Sequence, residues 1–206
     1  MNLKFLSKFI ISVTIVLVAL SSTAFANVVG SPGVHYNQMS PEMKQEVDNL
    51  NLSTNTIGIS GKYVEYTYET APDNVKLDYE AKCREAGITP QPGDKIMVKV
   101  LTNKRNYLVD TNDIKVYRDM TNRVMKFYYQ RLWYTFPIDS TYVGYNHISR
   151  GKQVAMLQFL LTEWGYNPGG IDEIFGSRTH SSLLTFQGNK SLSQDGIAGP
   201  KVWVAF

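Results

Sequence analysis

The side chains best suited to hydrolytic chemistry in this sequence are three histidines, one cysteine and a scatter of carboxylates. Metal-assisted hydrolysis needs several His and acidic ligands in close array. His35, His147 and His180 lie far apart, and no HExxH-type spacing occurs. A metal site is therefore not expected. A thiolate nucleophile needs an accessible cysteine beside a histidine. Cys83 instead follows Tyr79 by four residues and Val75 by eight, on the apolar stripe of a helix, and its surroundings, EAKCREAG, match no active-site motif. It reads as a structural thiol. Glu65 and Glu69 would share one side of a strand. Paired carboxylates are assembled by the fold rather than by a motif, and here solvated surface charge is the simpler reading. Glycine-rich phosphate loops and nucleic-acid-binding motifs are absent. The sequence thus predicts no catalytic residues and no cofactor.

The chain is more specific where it could bind. GKQVAMLQFLLTEWGY (Gly151 to Tyr166) puts Val154, Leu157, Leu161 and Trp164 at helical spacing, with Gly165 as a stop. SRTHSSLLTFQ (Ser177 to Gln187) predicts a second helix with Thr179, Leu183 and Phe186 inward. PKVWVAF (Pro200 to Phe206) predicts a third, with Pro200 at its first position. The loops before the second and third helices repeat one another. Asp172-Glu173-Ile174-Phe175-Gly176-Ser177-Arg178 and Asp195-Gly196-Ile197-Ala198-Gly199-Pro200-Lys201 both read D-x-I-x-G, then a small or cyclic residue, then a cation. The aspartate can accept backbone N–H groups around a tight turn, the isoleucine can plug the core, and the glycine admits a sharp entry into the helix.

With Gly151, Val154, Leu157-Gln158, Leu161, Gly165-Tyr166, Asp172, Phe175-Gly176, Thr179, Phe186-Gln187, Asp195-Gly196, Gly199 and Trp203 in order, the segment resembles the peptidoglycan-binding domain of bacterial and phage wall hydrolases. The resemblance covers essentially all of His147 to Phe206. It departs at Glu173, where the family has glycine, at Ser181-Ser182-Leu183 on the second helix, and at Val202, where threonine is usual. The resemblance implies an all-α three-helix module with a shallow groove near the second helix and the repeated loops. Tyr166, Asp172, Phe175, Arg178, Thr179 and Gln187 are the candidate contacts to glycan and stem peptide. For Phe175 and Trp203 a place in the core is the competing reading, and for Asp172 and Asp195 a turn-fixing role.

Further elements must carry this module. Ser40-Pro41-Glu42 is a helix start, followed by Met43, Val47 and Leu50 as one apolar stripe. KYVEYTYE (Lys62 to Glu69) predicts a strand. Asp73 is expected to cap a helix to about Glu85, stopped by Gly87 and Pro90, and KIMVKVL (Lys95 to Leu101) predicts a strand. Tyr107–Asp110 and Ile114–Arg118 suggest a hairpin across Thr111-Asn112-Asp113. Val124 to Phe136 fits a strand by its aromatics and a helix by its length. The expected fold class is an α+β domain over 37–145, a boundary near Pro137 to Tyr145, and an all-α domain over 147–206.

The amino terminus reads as an address. Lys4 and Lys8 precede the apolar run Phe9 to Leu20, and Ala24-Phe25-Ala26 offers a cleavage site. Residues 1–26 are thus expected to be a signal peptide and 27–36 a flexible lead-in. No cysteine stands near the cleavage site, which argues against a lipid anchor. The formal charge of +3 falls to +1 without Lys4 and Lys8. From Asn27 to Asp94 the chain carries five basic and ten acidic residues; from Lys95 to Arg131 it carries nine and three. These offsetting charges fit two solvated faces better than a polyanion site. Together these features point to a secreted, wall-associated, non-catalytic peptidoglycan binder. The middle domain, of unknown role, would serve a wall-associated protein partner, an inhibitor role or positioning, with no nucleic acid and no membrane after cleavage. The alternative is a wall hydrolase whose catalytic domain lies unrecognised in 37–145.

Overall fold

The ambiguous run from Val124 to Phe136 is a hairpin. β4 (Val124–Tyr129) and β5 (Leu132–Pro137) pair antiparallel, with Phe127 opposite Tyr134 and Tyr128 opposite Trp133. Gln130 and Arg131 join them at φ 51° and 63°. Two left-handed residues match a two-residue turn to the twist of its strands. The hairpin belongs to a computed structural model that describes residues 33–49, 56–99 and 112–206. The leader, its cleavage site, most of the lead-in and the Tyr107–Asp110 strand fall outside the described residues.

β1 (Thr56–Thr67), β2 (Lys95–Lys99) and β3 (Asn112–Asp119) complete an antiparallel sheet of order β2-β1-β3-β4-β5. Asn112 and Asp113 do not form the expected turn. They lie inside β3, opposite Tyr63 and Lys62, because β1 is long enough to hold them in the ladder. β1 also ends at Thr67, so Glu69 lies beyond it, and Glu65 pairs with Lys95 at 2.9 Å.

The helices follow their start signals. The Ser40 side chain accepts from the Met43 N–H at 3.3 Å and opens α1 (Pro41–Asp48). α2 (Asp73–Glu85) has the expected span, but Pro72, not Asp73, is its N-cap. The extended Pro72 carbonyl accepts from Val75 and Lys76, while Asp73 supplies charge in the first turn. α3 (Lys152–Glu163), α4 (Ser177–Asn189) and α5 (Pro200–Ala205) make the C-terminal segment helical. The fold is α+β followed by a helical segment, as the sequence predicted.

Strand periodicity sorts the sheet into two faces. Met125, Phe127 and Tyr129 point to a core beneath α3, whereas Lys126 faces the other way and pairs with Glu46 of α1. Every residue of α3 from Gln153 to Leu161 is buried, as expected of a helix packed on all sides. Phe159 meets Tyr63 and Phe127 at ring-centroid distances of 5.8 and 6.4 Å. A buried aromatic of this size contributes about 1.5–3 kcal/mol relative to exposure. Trp164, expected inward, is 41% exposed at the end of α3 and lays its ring edge-on to Phe186.

One hydrophobic cluster runs from Tyr63, Ile114 and Phe136 through Val154 and Phe159 to Phe186 and Trp203. The sheet and the helical segment therefore share a core. Met97 and Ile171 exchange backbone hydrogen bonds of 2.9 and 2.8 Å, and the Trp203 indole donates to the Thr141 carbonyl at 2.7 Å. A second cluster joins Tyr79 and Cys83 of α2 to Ile96 of β2 and Ile174 of the first repeated loop.

Candidate functional site

The repeated loops are held by one device used twice. The Gln158 side-chain amide donates to Asp172 Oδ1 at 2.7 Å and to the Ile174 carbonyl at 3.0 Å. Its oxygen accepts from the Asp172 and Glu173 N–H groups at 3.0 and 3.2 Å, and Asp172 Oδ1 accepts from the Ile174 N–H at 3.1 Å. At the second loop, whose Asp195 follows Asp172 by twenty-three residues, the pattern recurs with another glutamine. Gln187 donates to Asp195 Oδ1 at 2.7 Å and to the Ile197 carbonyl at 3.1 Å. It accepts from the Gly196 N–H at 2.9 Å, and Asp195 accepts from Ile197 at 2.9 Å. Each glutamine thus satisfies a loop's buried polar groups, which would otherwise cost about 1–3 kcal/mol apiece.

This device explains the departure at Glu173. Glu173 and Gly196 occupy equivalent turns at φ 66° and 69°. A non-glycine residue there carries roughly 1–2 kcal/mol of strain. The Gln158 bond to the Glu173 N–H and the ion pair between its carboxylate and Lys152 hold it in place. Gly196 has a further reason to be glycine, because a Cβ there would run into the His180 ring.

α2 docks on the first loop. Lys82 Nζ lies 2.6 Å from Asp172 Oδ2 with both side chains almost fully buried, and it also donates to the Gly170 carbonyl at 3.3 Å. Glu85 accepts from the backbone N–H and the hydroxyl of Ser177, both at 2.7 Å, at the start of α4. A carboxylate there meets the positive end of the helix dipole. Arg178 reaches back to Asp78 at 2.5 Å.

The predicted contact residues therefore fall into two groups. Asp172, Phe175, Thr179 and Gln187 are buried. Asp172 and Thr179 meet through Gln158, Phe175 packs under Tyr145 and His180, and Gln187 serves the second loop. Arg178 is exposed and held by Asp78, and Tyr166 is half-buried against Phe186 with its hydroxyl accepting from Asn189. The fold does not draw all six onto one surface.

What lies open near the repeats is a set of rings that sequence reasoning passed over. Tyr145 and His180 stand 5.1 Å apart, and Tyr142 stacks on His147 at 5.8 Å. Tyr142 and Tyr145 are exposed, and the Val143–Ala198 backbone exchange fastens their segment to the second loop. The only sequence signal for them was tyrosine density in a supposed boundary.

Cys83 is buried, and that burial pushes its thiol pKa up, away from a nucleophilic thiolate. Burial, then the hydrogen bond to Glu163, also raises the pKa of the Tyr63 hydroxyl; that bond is 2.7 Å, and Lys99 pairs with the same carboxylate at 3.0 Å. Among the described residues, no group of three His, Cys, Asp or Glu side chains is placed to hold a metal ion.

Residues 150–206 match the model of a putative peptidoglycan binding domain, and residues 55–123 match a second, separate model of a putative peptidoglycan-binding domain. A solved structure from Clostridioides difficile, a peptidoglycan-binding protein in complex with glutamine hydroxamate, is 30% identical with a TM-score of 0.61. It covers 70% of this chain and 90% of its own. This chain belongs to the peptidoglycan-binding proteins. A further relative, the N-acetylmuramoyl-L-alanine amidase CwlM of Mycobacterium tuberculosis, is 41% identical over 51 residues. That stretch is 25% of this chain and 13% of the amidase, so the chain spans only a small part of that relative's length. The match at 55–123 falls in the middle segment, to which the sequence assigned no motif of its own.

Proposed function

We propose that this is a secreted, non-catalytic protein that holds to bacterial peptidoglycan. The observation that carries the reading is that two binding-domain models match along the chain, one at the C-terminal helical segment and one within the middle segment. The fate of the carboxylates supports it. Asp78, Glu85, Asp172 and Glu173 fasten loops and helices, and Glu163 is shared between Tyr63 and Lys99. Secretion rests on the leader at 1–26. Among the described residues, no helix is long and apolar enough to cross a membrane.

In this reading glycan and stem peptide contact the surface around the repeated loops. Tyr166 and Arg178 reach solvent there, while Asp172, Phe175, Thr179 and Gln187 set the loop shapes beneath. The rings of Tyr142, Tyr145 and His180 extend the surface with faces suited to sugar C–H groups. A wall hydrolase is the second reading, favoured by the similarity to the amidase over 51 residues. Purified protein incubated with several wall types decides between them. The proposal expects no release of reducing ends or free amino groups, and sustained release of either would establish the hydrolase.

A further inference from the structure

We propose that the cleft between α1 and the outer face of β3–β5 is a second ligand site, taking an N-acetylated amino sugar that bears a carboxylate. The proposal rests on the peptidoglycan reading and adds a site on the side of the sheet facing away from α3. The cleft encloses about 400 Å³, within the range of small-molecule sites.

Its walls combine rings with cations. Tyr36, Tyr128 and Trp133 contribute aromatic faces, and Lys115 and Arg131 contribute charge. Tyr128 and Trp133 are cross-strand partners with centroids 5.1 Å apart, and Lys115 Nζ sits 5.9 Å from the Tyr128 ring. Part of each ring stays open: Tyr36 is 42% exposed, Tyr128 and Trp133 are half-buried, and α1 buries none of its own residues. The Tyr36 hydroxyl is fixed by Asp48 at 2.7 Å, which holds that ring at the rim.

The cations set the ligand class. Lys82, Lys99, Lys126, Lys152, Arg123 and Arg178 each have a carboxylate partner. Lys115 and Arg131 are among the described cations that pair with no carboxylate, and these two line the cleft. An arginine fork takes a carboxylate through two parallel hydrogen bonds, and the ring faces take the apolar face of a pyranose. Asp113 at the same wall can accept from a sugar hydroxyl or an acetamido N–H. Neutral sugar alone would leave both cations unmatched.

The test is calorimetric titration of the purified protein with muramyl dipeptide, which carries an acetamido sugar and a carboxylate, and with neutral diacetylchitobiose. Saturable binding of muramyl dipeptide is expected, with diacetylchitobiose weaker by about tenfold or more. Trp133→Ala, and separately Arg131→Gln with Lys115→Gln, should each weaken muramyl dipeptide by at least about fivefold. The charge variant should leave diacetylchitobiose unchanged. Because Arg131 is exposed and Lys115 only half-buried, that variant remains informative if Trp133→Ala folds poorly. No binding by the wild type, or equal affinity in the charge variant, overturns the proposal. Sedimentation with insoluble wall separates the two ideas. Protein that sediments while the charge variant binds muramyl dipeptide normally removes the cleft alone; protein that does not sediment removes the peptidoglycan reading.

Discussion

Replacing Lys82 with methionine should cost the folded protein about 3 kcal/mol, the lower end of the range for breaking a buried ion pair. The ammonium and the Asp172 carboxylate are 2.6 Å apart, with side chains 2% and 1% exposed. At an effective dielectric near 20 their attraction is roughly 6 kcal/mol. Desolvating the two ions costs several kcal/mol each, so the pair as a whole nearly breaks even, while a lone buried carboxylate keeps its penalty without the attraction. Asp172 would still accept from Gln158 and Ile174, which is why the low end is expected. Urea unfolding of the wild type, Lys82→Met, Asp172→Asn and the double variant supplies the coupling energy, expected at about 2 kcal/mol. Because Lys82 joins α2 to the first repeated loop, the wild type should unfold in one transition. A Lys82→Met cost under about 1 kcal/mol, or a coupling near zero, would refute the reasoning.

Alkaline pH should destabilise the protein. Burial is the leading cause that raises the pKa values of Tyr63, Tyr79, Tyr129 and Tyr134 above the ordinary value. Unfolded tyrosines ionise near about 10 while the folded ones keep their protons, so stability is full below that pH and is lost as pH rises beyond it. The thermal midpoint should fall steadily between pH about 9 and about 11, and a flat profile would contradict the assignment. Cys83, buried with its thiol pKa raised, should be alkylated by iodoacetamide orders of magnitude more slowly in native than in urea-unfolded protein. Mass spectrometry at timed intervals reads this directly, and equal rates would show the thiol to be accessible.

What could be read from the sequence was what local physics encodes. The span of α2, the start of α1 at Ser40-Pro41 and the D-x-I-x-G repeat follow from caps, glycines and periodicity, each acting within a few residues. What could not be read were partnerships across the chain. Asn112 and Asp113 look like turn residues until β1 supplies a ladder. Lys82 looks like a solvated lysine on a helix until Asp172, ninety residues away, takes it inside. Gln187 looked like a ligand contact because its amide is versatile, and the structure spends that amide on the second loop. The pairing of Gln158 with Asp172 and of Gln187 with Asp195 was within reach, since each D-x-I-x-G loop follows a helix bearing an apolar-Gln step. The cleft beside Trp133 and the shared core were not, because both arise from which face each strand presents after pairing.

The most direct test of the account is retention on insoluble peptidoglycan. Purified protein is mixed with washed wall sacculi at low salt, the sacculi are pelleted, and the protein in pellet and supernatant is quantified beside an unrelated protein of similar charge. The account predicts saturable pelleting that soluble wall fragments displace. Protein that remains in the supernatant with the control, at every sacculus concentration, would contradict it.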